Sequence, residues 1–179
     1  MRPIEPGEFT VADLELTPDE GPRYELVDGV MLVTYMSSAI HQQALGALMM
    51  QLASACPEHL EVLPGPLEFR PHNRLALVPD LLVVPRKDSS TRWVDELALV
   101  VEVVVSTTRT VDEVLKPRLY ERAGVPAYWV VDPEEGKVTV LELVDGVYVE
   151  RDVVAGEKVF EATLPFPVQI VPSELFRER

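Results

Sequence analysis

The chain has 179 residues, a single cysteine and a formal net charge of −14. That length suits one domain spanning 1–179 with a sizeable core, a hydrophobic content of 47% excludes a disordered chain, and no apolar stretch approaches the ~20 residues of a membrane helix. Lone Cys56 excludes an internal disulfide and, with no signal-peptide core in Met1–Pro6, points to the cytoplasm, while the acidity opposes attraction to bulk nucleic acid.

Tyr24–Val33 is expected to form a hairpin about Asp28-Gly29, a turn that suits the natural strand twist. A helix follows from about Ser38 to Ala55, capped by Ser37 or Ser38, with an apolar stripe at Ile40, Ala44, Leu45, Leu48 and Leu52. His41 then reads by default as a helix-surface residue, with a functional role as the alternative, and Cys56 as a helix-end residue. Short strands are expected at 60–63 and 67–70, either side of Pro64-Gly65-Pro66. Leu75–Val84 and Leu97–Val105 read as two neighbouring strands joined by the polar loop Arg86–Asp95. A second helix spans about Val111 to Ala123 and ends at Gly124. Ala127–Val131 is a strand ending at Asp132-Pro133, and Lys137–Val153 is a hairpin about Asp145-Gly146. The apolar tail Val159–Val171, with Pro165 and Pro167, reads as an edge strand or an arm that exchanges between subunits. The pattern is α/β, with a mixed β-sheet flanked by helices and a right-handed crossover through the second helix.

Two of these strands carry an acid where apolar residues belong. Leu97–Val105 is apolar at every position except Glu102, and Leu75–Val84 at every position except Pro79 and Asp80. Strands so rich in β-branched residues are covered on both faces. An ionised, unpaired carboxylate there costs several kcal/mol, so a cation, a metal ion or a bound proton must compensate. Two carboxylates from adjacent strands suit a hard divalent cation. Asp112, Lys116 and Tyr120 are spaced to share one face of the second helix. That helix could carry Lys116 over the strand ends toward Glu102 and Asp80. Glu102 with Lys116 alone would read as a buried salt bridge, and Asp112 as an anchor for Lys116 or Arg109. Residues 69–93 form a basic segment in this acidic chain, with Arg70, Arg74, Arg86, Lys87 and Arg92 against Asp80 and Asp88. It reads either as solvated loop or as a landing site for phosphate. Tyr120, Tyr128 and Trp129 read as core.

The order Pro79-Asp80, Glu102 on the next strand, then a lysine resembles the PD-(D/E)XK restriction-endonuclease superfamily. More closely, the chain is similar to a group of small bacterial endonuclease-like proteins. The words that carry this are Tyr24–Gly29, His41, Pro79-Asp80-Leu81, Val101-Glu102-Val103, Thr108-Arg109 with Asp112 and Lys116, Tyr120, Ala123–Pro126 and Tyr128–Pro133. The resemblance implies a restriction-endonuclease-like fold with extra N- and C-terminal hairpins. It implies Asp80 and Glu102, with the Val103 carbonyl, as ligands of Mg2+ or Mn2+, and Lys116 as the catalytic lysine. Glu25 matches an acid of the family near the site, and Arg109 falls in a loop near it. In the wider superfamily the lysine stands two residues after the acid; here that position is Val104, and the lysine has migrated to the following helix. The Ser-Pro-Ser-Thr-Arg loop of such proteins is replaced by Val105-Ser106-Thr107-Thr108-Arg109, and Pro117 follows Lys116 directly. A proline there is expected to kink or delay the helix.

The function so implied is Mg2+-dependent hydrolysis of DNA phosphodiester bonds by a homodimer, with Arg70, Arg74, Arg92 and Arg109 contacting DNA. An inactive nuclease-fold interaction module, and a phosphodiesterase for small or single-stranded substrates, are the alternatives. Twelve arginines against four lysines, one asparagine and sixteen prolines suggest a heat-adapted source.

Overall fold

The structure, a computed structural model, describes residues 7–17, 22–34, 38–87, 92–106 and 109–176. Helix α1 (Val11–Leu14) precedes the hairpin of β1 (Arg23–Val27) and β2 (Val30–Thr34). Helix α2 (Ala39–Ala55) leads to β3 (Leu60–Pro64), β4 (Glu68–His72), β5 (Leu75–Leu77) and β6 (Leu81–Pro85). Next come β7 (Trp93–Val94) and β8 (Leu99–Val103), then a π-helical turn (Val111–Leu115) running straight into α3 (Lys116–Arg122). The chain closes with β9 (Ala127–Asp132), the hairpin β10 (Lys137–Val144) and β11 (Val147–Ala155), the pair β12 (Phe160–Ala162) and β13 (Val168–Ile170), and α4 (Pro172–Leu175).

The mixed α/β arrangement holds, and among the described residues the strands divide among three sheets. The main sheet has the order β11-β10-β9-β8-β6-β3, a second has β2-β1-β5-β4-β7, and β12-β13 form a third. In the main sheet β8 pairs with β9 in parallel across the α3 crossover, while β6 runs antiparallel to β8. Both Asp-Gly turns form as the sequence predicts. Asp28, Gly29, Asp145 and Gly146 all have positive φ, the conformation that matches the twist of paired strands.

The main sheet is covered on both faces. Leu99, Val101 and Val103 pack with Ala44, Leu48 and Leu52 of α2. Val100 and Val104 pack on the other face with Leu119 and Tyr120 of α3. Val104 is therefore core, and the superfamily's usual lysine position is closed to a charge. The tail corrects the sequence reading. Phe160, Ala162, Phe166 and Ile170 are buried in the α2-side core, with Phe160 edge-on to Trp129 at 5.8 Å. The arm thus folds onto its own chain.

The stretch 75–84 also differs from its expected single strand. It splits into β5 and β6, which belong to different sheets. Pro79, which lacks an N–H, sits at the switch. Gly65 clasps this point: its N–H donates to the Asp80 carbonyl at 2.9 Å, and a Cβ there would lie 2.6 Å from the Pro79 oxygen.

Candidate active site and metal centre

Asp80 stands at the sheet switch, one residue before β6. Leu81 lies opposite Val101 in the β6–β8 ladder, so Asp80 falls at the level of Glu102. One Asp80 oxygen, Oδ2, accepts from the Val103 amide at 2.9 Å and meets His41 Nε2 at 3.0 Å. Val103 thus offers Asp80 its amide.

Glu102 is the penultimate residue of β8, 2% exposed, and the alternation along the strand turns it toward α3. Lys116, 6% exposed, reaches three carboxylates: Glu102 at 2.9 Å, Asp112 at 3.3 Å and Glu25 at 3.6 Å. The Tyr120 hydroxyl donates to the same Glu102 oxygen at 3.0 Å. Glu25, buried on β1, accepts from the Val78 amide at 2.8 Å, which ties the second sheet to the main one beside Asp80. Asp112 anchors Lys116, as one of its sequence readings holds.

Burial pushes the Glu102 carboxyl well above the usual carboxylate range, against the pull of Lys116; Asp80, Asp112 and Glu25 push the same way. Burial works against the Lys116 ammonium, but Glu102, Glu25 and Asp112 outweigh it and keep the lysine charged. Burial likewise raises Tyr120 and Tyr128, so both act as hydroxyl donors.

Pro117 delays the regular α-helix, which starts at Lys116 after the π-turn Val111–Leu115, but does not break it. It is accommodated by a change of hydrogen-bond pattern. The Tyr128 hydroxyl donates to the Asp112 carbonyl at 2.6 Å, and the Lys116 amide turns instead to the carbonyl of Val111, five residues back. Pro117 has no N–H to give Glu113. A π-turn meets both conditions at once, and such turns gather at functional sites. It hands Lys116 to α3 with Asp112, Lys116 and Tyr120 all buried toward Glu102.

Among the described residues no three His, Cys, Asp or Glu side chains form a metal-holding group. Mg2+ does not need one, since it binds through one or two carboxylates completed by water and substrate phosphate. Asp80 and Glu102 suit that mode. The contacts of His41 and Val103 converge on Oδ2 of Asp80, and those of Lys116 and Tyr120 on Oε1 of Glu102. The donor set is all oxygen, which fits a hard divalent cation and not zinc.

Other predicted residues fall elsewhere. His41 is not on the helix surface: it is 4% exposed, while Ile40, assigned to the stripe, is 47% exposed. The signal was present, because 41, 44, 45, 48 and 52 keep helical spacing as well as the set beginning at 40 does. Asp132 does more than end a strand. It is fully buried and binds Arg109 at 2.5 Å, and it accepts the amides of Glu134 and Glu135. Burial opposes that charge, but Arg109 holds the carboxyl below its usual range. Arg109 also meets Glu113 at 3.0 Å, so it staples the start of the π-turn to the end of β9. Its neighbour Thr108, part of the resembling loop, lies outside the described residues, as do Ser37 and Met1–Pro6.

Two arginines of the basic segment are engaged within the chain. Arg70 pairs with Glu68 at 2.7 Å and Glu15 at 2.8 Å, its side chain 10% exposed. Arg74 donates to the carbonyls of Gly7 and Asp28 and braces the β1–β2 turn. Arg92 is exposed. Arg70 and Arg92 share a cleft of about 1070 Å³ with Arg23, Tyr24 and Trp93, a cleft that Asp80, Glu102 and Lys116 do not line.

A nuclease-like α/β fold with a lysine drawn into a carboxylate cluster at the strand ends defines the class. Residues 11–173 match the family model Uma2, described as putative restriction endonuclease, and the chain belongs to that family. Its fold is similar to the crystal structure of a putative nuclease belonging to DUF820 from Anabaena variabilis ATCC 29413, at 16% identity and a TM-score of 0.75, covering 94% of this chain and 97% of that one. A search among curated proteins finds no match. No helix among the described residues is long and apolar enough to cross a membrane.

Proposed function

We propose that the protein is a divalent-metal-dependent phosphodiester hydrolase acting on DNA, with Asp80 and Glu102 as ligands of Mg2+ or Mn2+ together with the Val103 carbonyl. The observation that carries this is a charge imbalance. Glu25, Glu102 and Asp112 are buried, Asp80 is nearly so, and among the described residues Lys116 is the one ammonium against them. A buried cluster this acidic calls for a second cation or for bound protons. When bound, the ion would neutralise charge on a phosphate oxygen and supply a water of lowered pKa. Lys116, held by Glu102, Asp112 and Glu25, orients the attacking water or stabilises charge developing at phosphorus. Glu25 fixes that ammonium and adds an acceptor for the water.

The test is plasmid cleavage in Mn2+ by the wild type beside Glu102→Gln and Lys116→Ala. Cleavage by the wild type and its loss in both variants is the expected result; equal cleavage by all three overturns the proposal. Cutting both strands calls for two sites, so a homodimer belongs to the same reading. Sedimentation as a monomer at micromolar concentration would remove it.

A second reading, a phosphodiesterase for small or single-stranded substrates, draws support from the arginines. Arg70, Arg74 and Arg109 are engaged within the chain, which leaves less positive surface for a duplex. Turnover of a chromogenic phosphodiester without plasmid cleavage would select it.

A further inference from the structure

We infer that His41 is a positioning residue for Asp80, fixing which carboxylate oxygen is offered to the metal; the inference rests on the metal-site reading above. His41 is 4% exposed on the buried stripe of α2. Its Nε2 lies 3.0 Å from Asp80 Oδ2, the same oxygen that takes the Val103 amide at 2.9 Å. Its Nδ1 is buried and has no hydrogen-bond partner among the described residues. A buried Nδ1 without an acceptor fits a bare lone pair better than an N–H. The ring proton therefore sits on Nε2 and donates to Oδ2. Two donors of different origin, one on the main sheet and one on the helix that covers it, converge on one oxygen. A carboxylate held that way cannot rotate without breaking both bonds, and Oδ1 is left as the free ligand atom. A histidine serving packing alone would not need a polar contact to the one acid that stands at the sheet switch. Outer partners of this kind orient metal ligands, and their loss costs about 10–100-fold in metal affinity.

Calorimetric titration of the metal-stripped full chain with Mn2+ tests this, using the wild type, His41→Ala, His41→Gln and Asp80→Ala. The glutamine amide can donate from nearly the same place as Nε2. We expect His41→Ala to bind Mn2+ at least tenfold more weakly, His41→Gln to recover to within about threefold of the wild type, and Asp80→Ala to lose binding. Binding by His41→Ala within twofold of the wild type, with Asp80→Ala still defective, overturns the role of His41 and leaves the metal site standing. Equal loss in His41→Ala and His41→Gln overturns it too, because the donor is then irrelevant. No Mn2+ binding by the wild type removes both. Should His41→Ala fail to fold, His41→Gln together with the long-range 1H–15N spectrum of the wild-type imidazole decides: a proton on Nε2 supports the inference and a proton on Nδ1 overturns it.

Discussion

Without Lys116, the carboxylates of Glu102, Glu25 and Asp112 would lose the ammonium that meets all three. Removing one partner from a buried ion pair costs about 3–5 kcal/mol, because the remaining charge stays desolvated. Lys116→Ala is therefore expected to lose that much stability in urea at pH 8, and to recover part of it toward pH 5 as Glu102, its carboxyl raised by burial, takes up a proton. Glu102 itself gives a pH dependence with a definite sign. Burial raises its folded pKa above the unfolded value of about 4.3, so the folded protein binds the proton more tightly. That contribution is complete below about pH 4.3 and is lost as pH rises through the raised value. Lys116, raised as well, contributes below its unfolded value of about 10.4 and adds no slope in this range. In EDTA the wild type should lose urea stability from pH 5 to 8 more steeply than Glu102→Gln. Equal slopes would mean that Glu102 is ionised in the metal-free protein.

The helix that carries Lys116 depends on a local conflict between donors and acceptors. Tyr128 takes the Asp112 carbonyl and Pro117 cannot serve Glu113, so the π-turn is the shared solution. Pro117→Ala restores a donor and should leave the thermal midpoint unchanged or raised. If the turn then relaxes toward an α-helix, Lys116 rotates off the Glu102 face, and Mn2+-dependent cleavage should fall at least tenfold; an undiminished rate would show that the turn does not set its aim. The clasp at Gly65 makes a parallel case. A Cβ 2.6 Å from the Pro79 oxygen forces β3 and the sheet switch apart, so Gly65→Ala should cost about 1–3 kcal/mol and weaken Mn2+ binding with it. These features mark the limit of what the sequence could tell. The strands bearing Glu102 and Asp80, both Asp-Gly turns and the Asp112–Lys116–Tyr120 face follow from local period and turn chemistry. The split of 75–84 between sheets, the π-turn and the burial of His41 do not. They are set by partners 16 to 53 residues away, Tyr128, Asp80 and Glu25, and a local pattern carries no trace of them. The ion pairs of the basic segment are illegible for the same reason, since the acids that engage Arg70 include one 55 residues earlier in the chain.

At the scale of the whole molecule the charge of −14 sets the terms on which a polyanion can approach. Most nucleic-acid-binding surfaces release counterions from DNA, and their affinity falls as salt rises. Here Arg70 pairs with Glu15 and Glu68, and Arg109 with Asp132 and Glu113, so neither presents an uncompensated charge. Repulsion between the acidic body and the duplex then dominates at long range, and it weakens as the Debye length contracts from ~30 Å at 0.01 M salt to ~10 Å at 0.1 M. For duplex cleavage at fixed, saturating Mn2+, the initial rate at sub-saturating DNA should therefore rise with monovalent salt between about 10 and 100 mM. A small neutral-bodied phosphodiester ester with a single negative charge feels far less of this field, and its turnover should stay nearly flat over the same range. Arg92→Ala, at an exposed position, should lower the duplex rate, whereas Arg70→Ala should cost stability and leave the salt profile unchanged. A duplex rate that falls steeply over that range would mean that a basic surface faces the DNA after all, and that the ion pairs of Arg70 and Arg109 open when it binds.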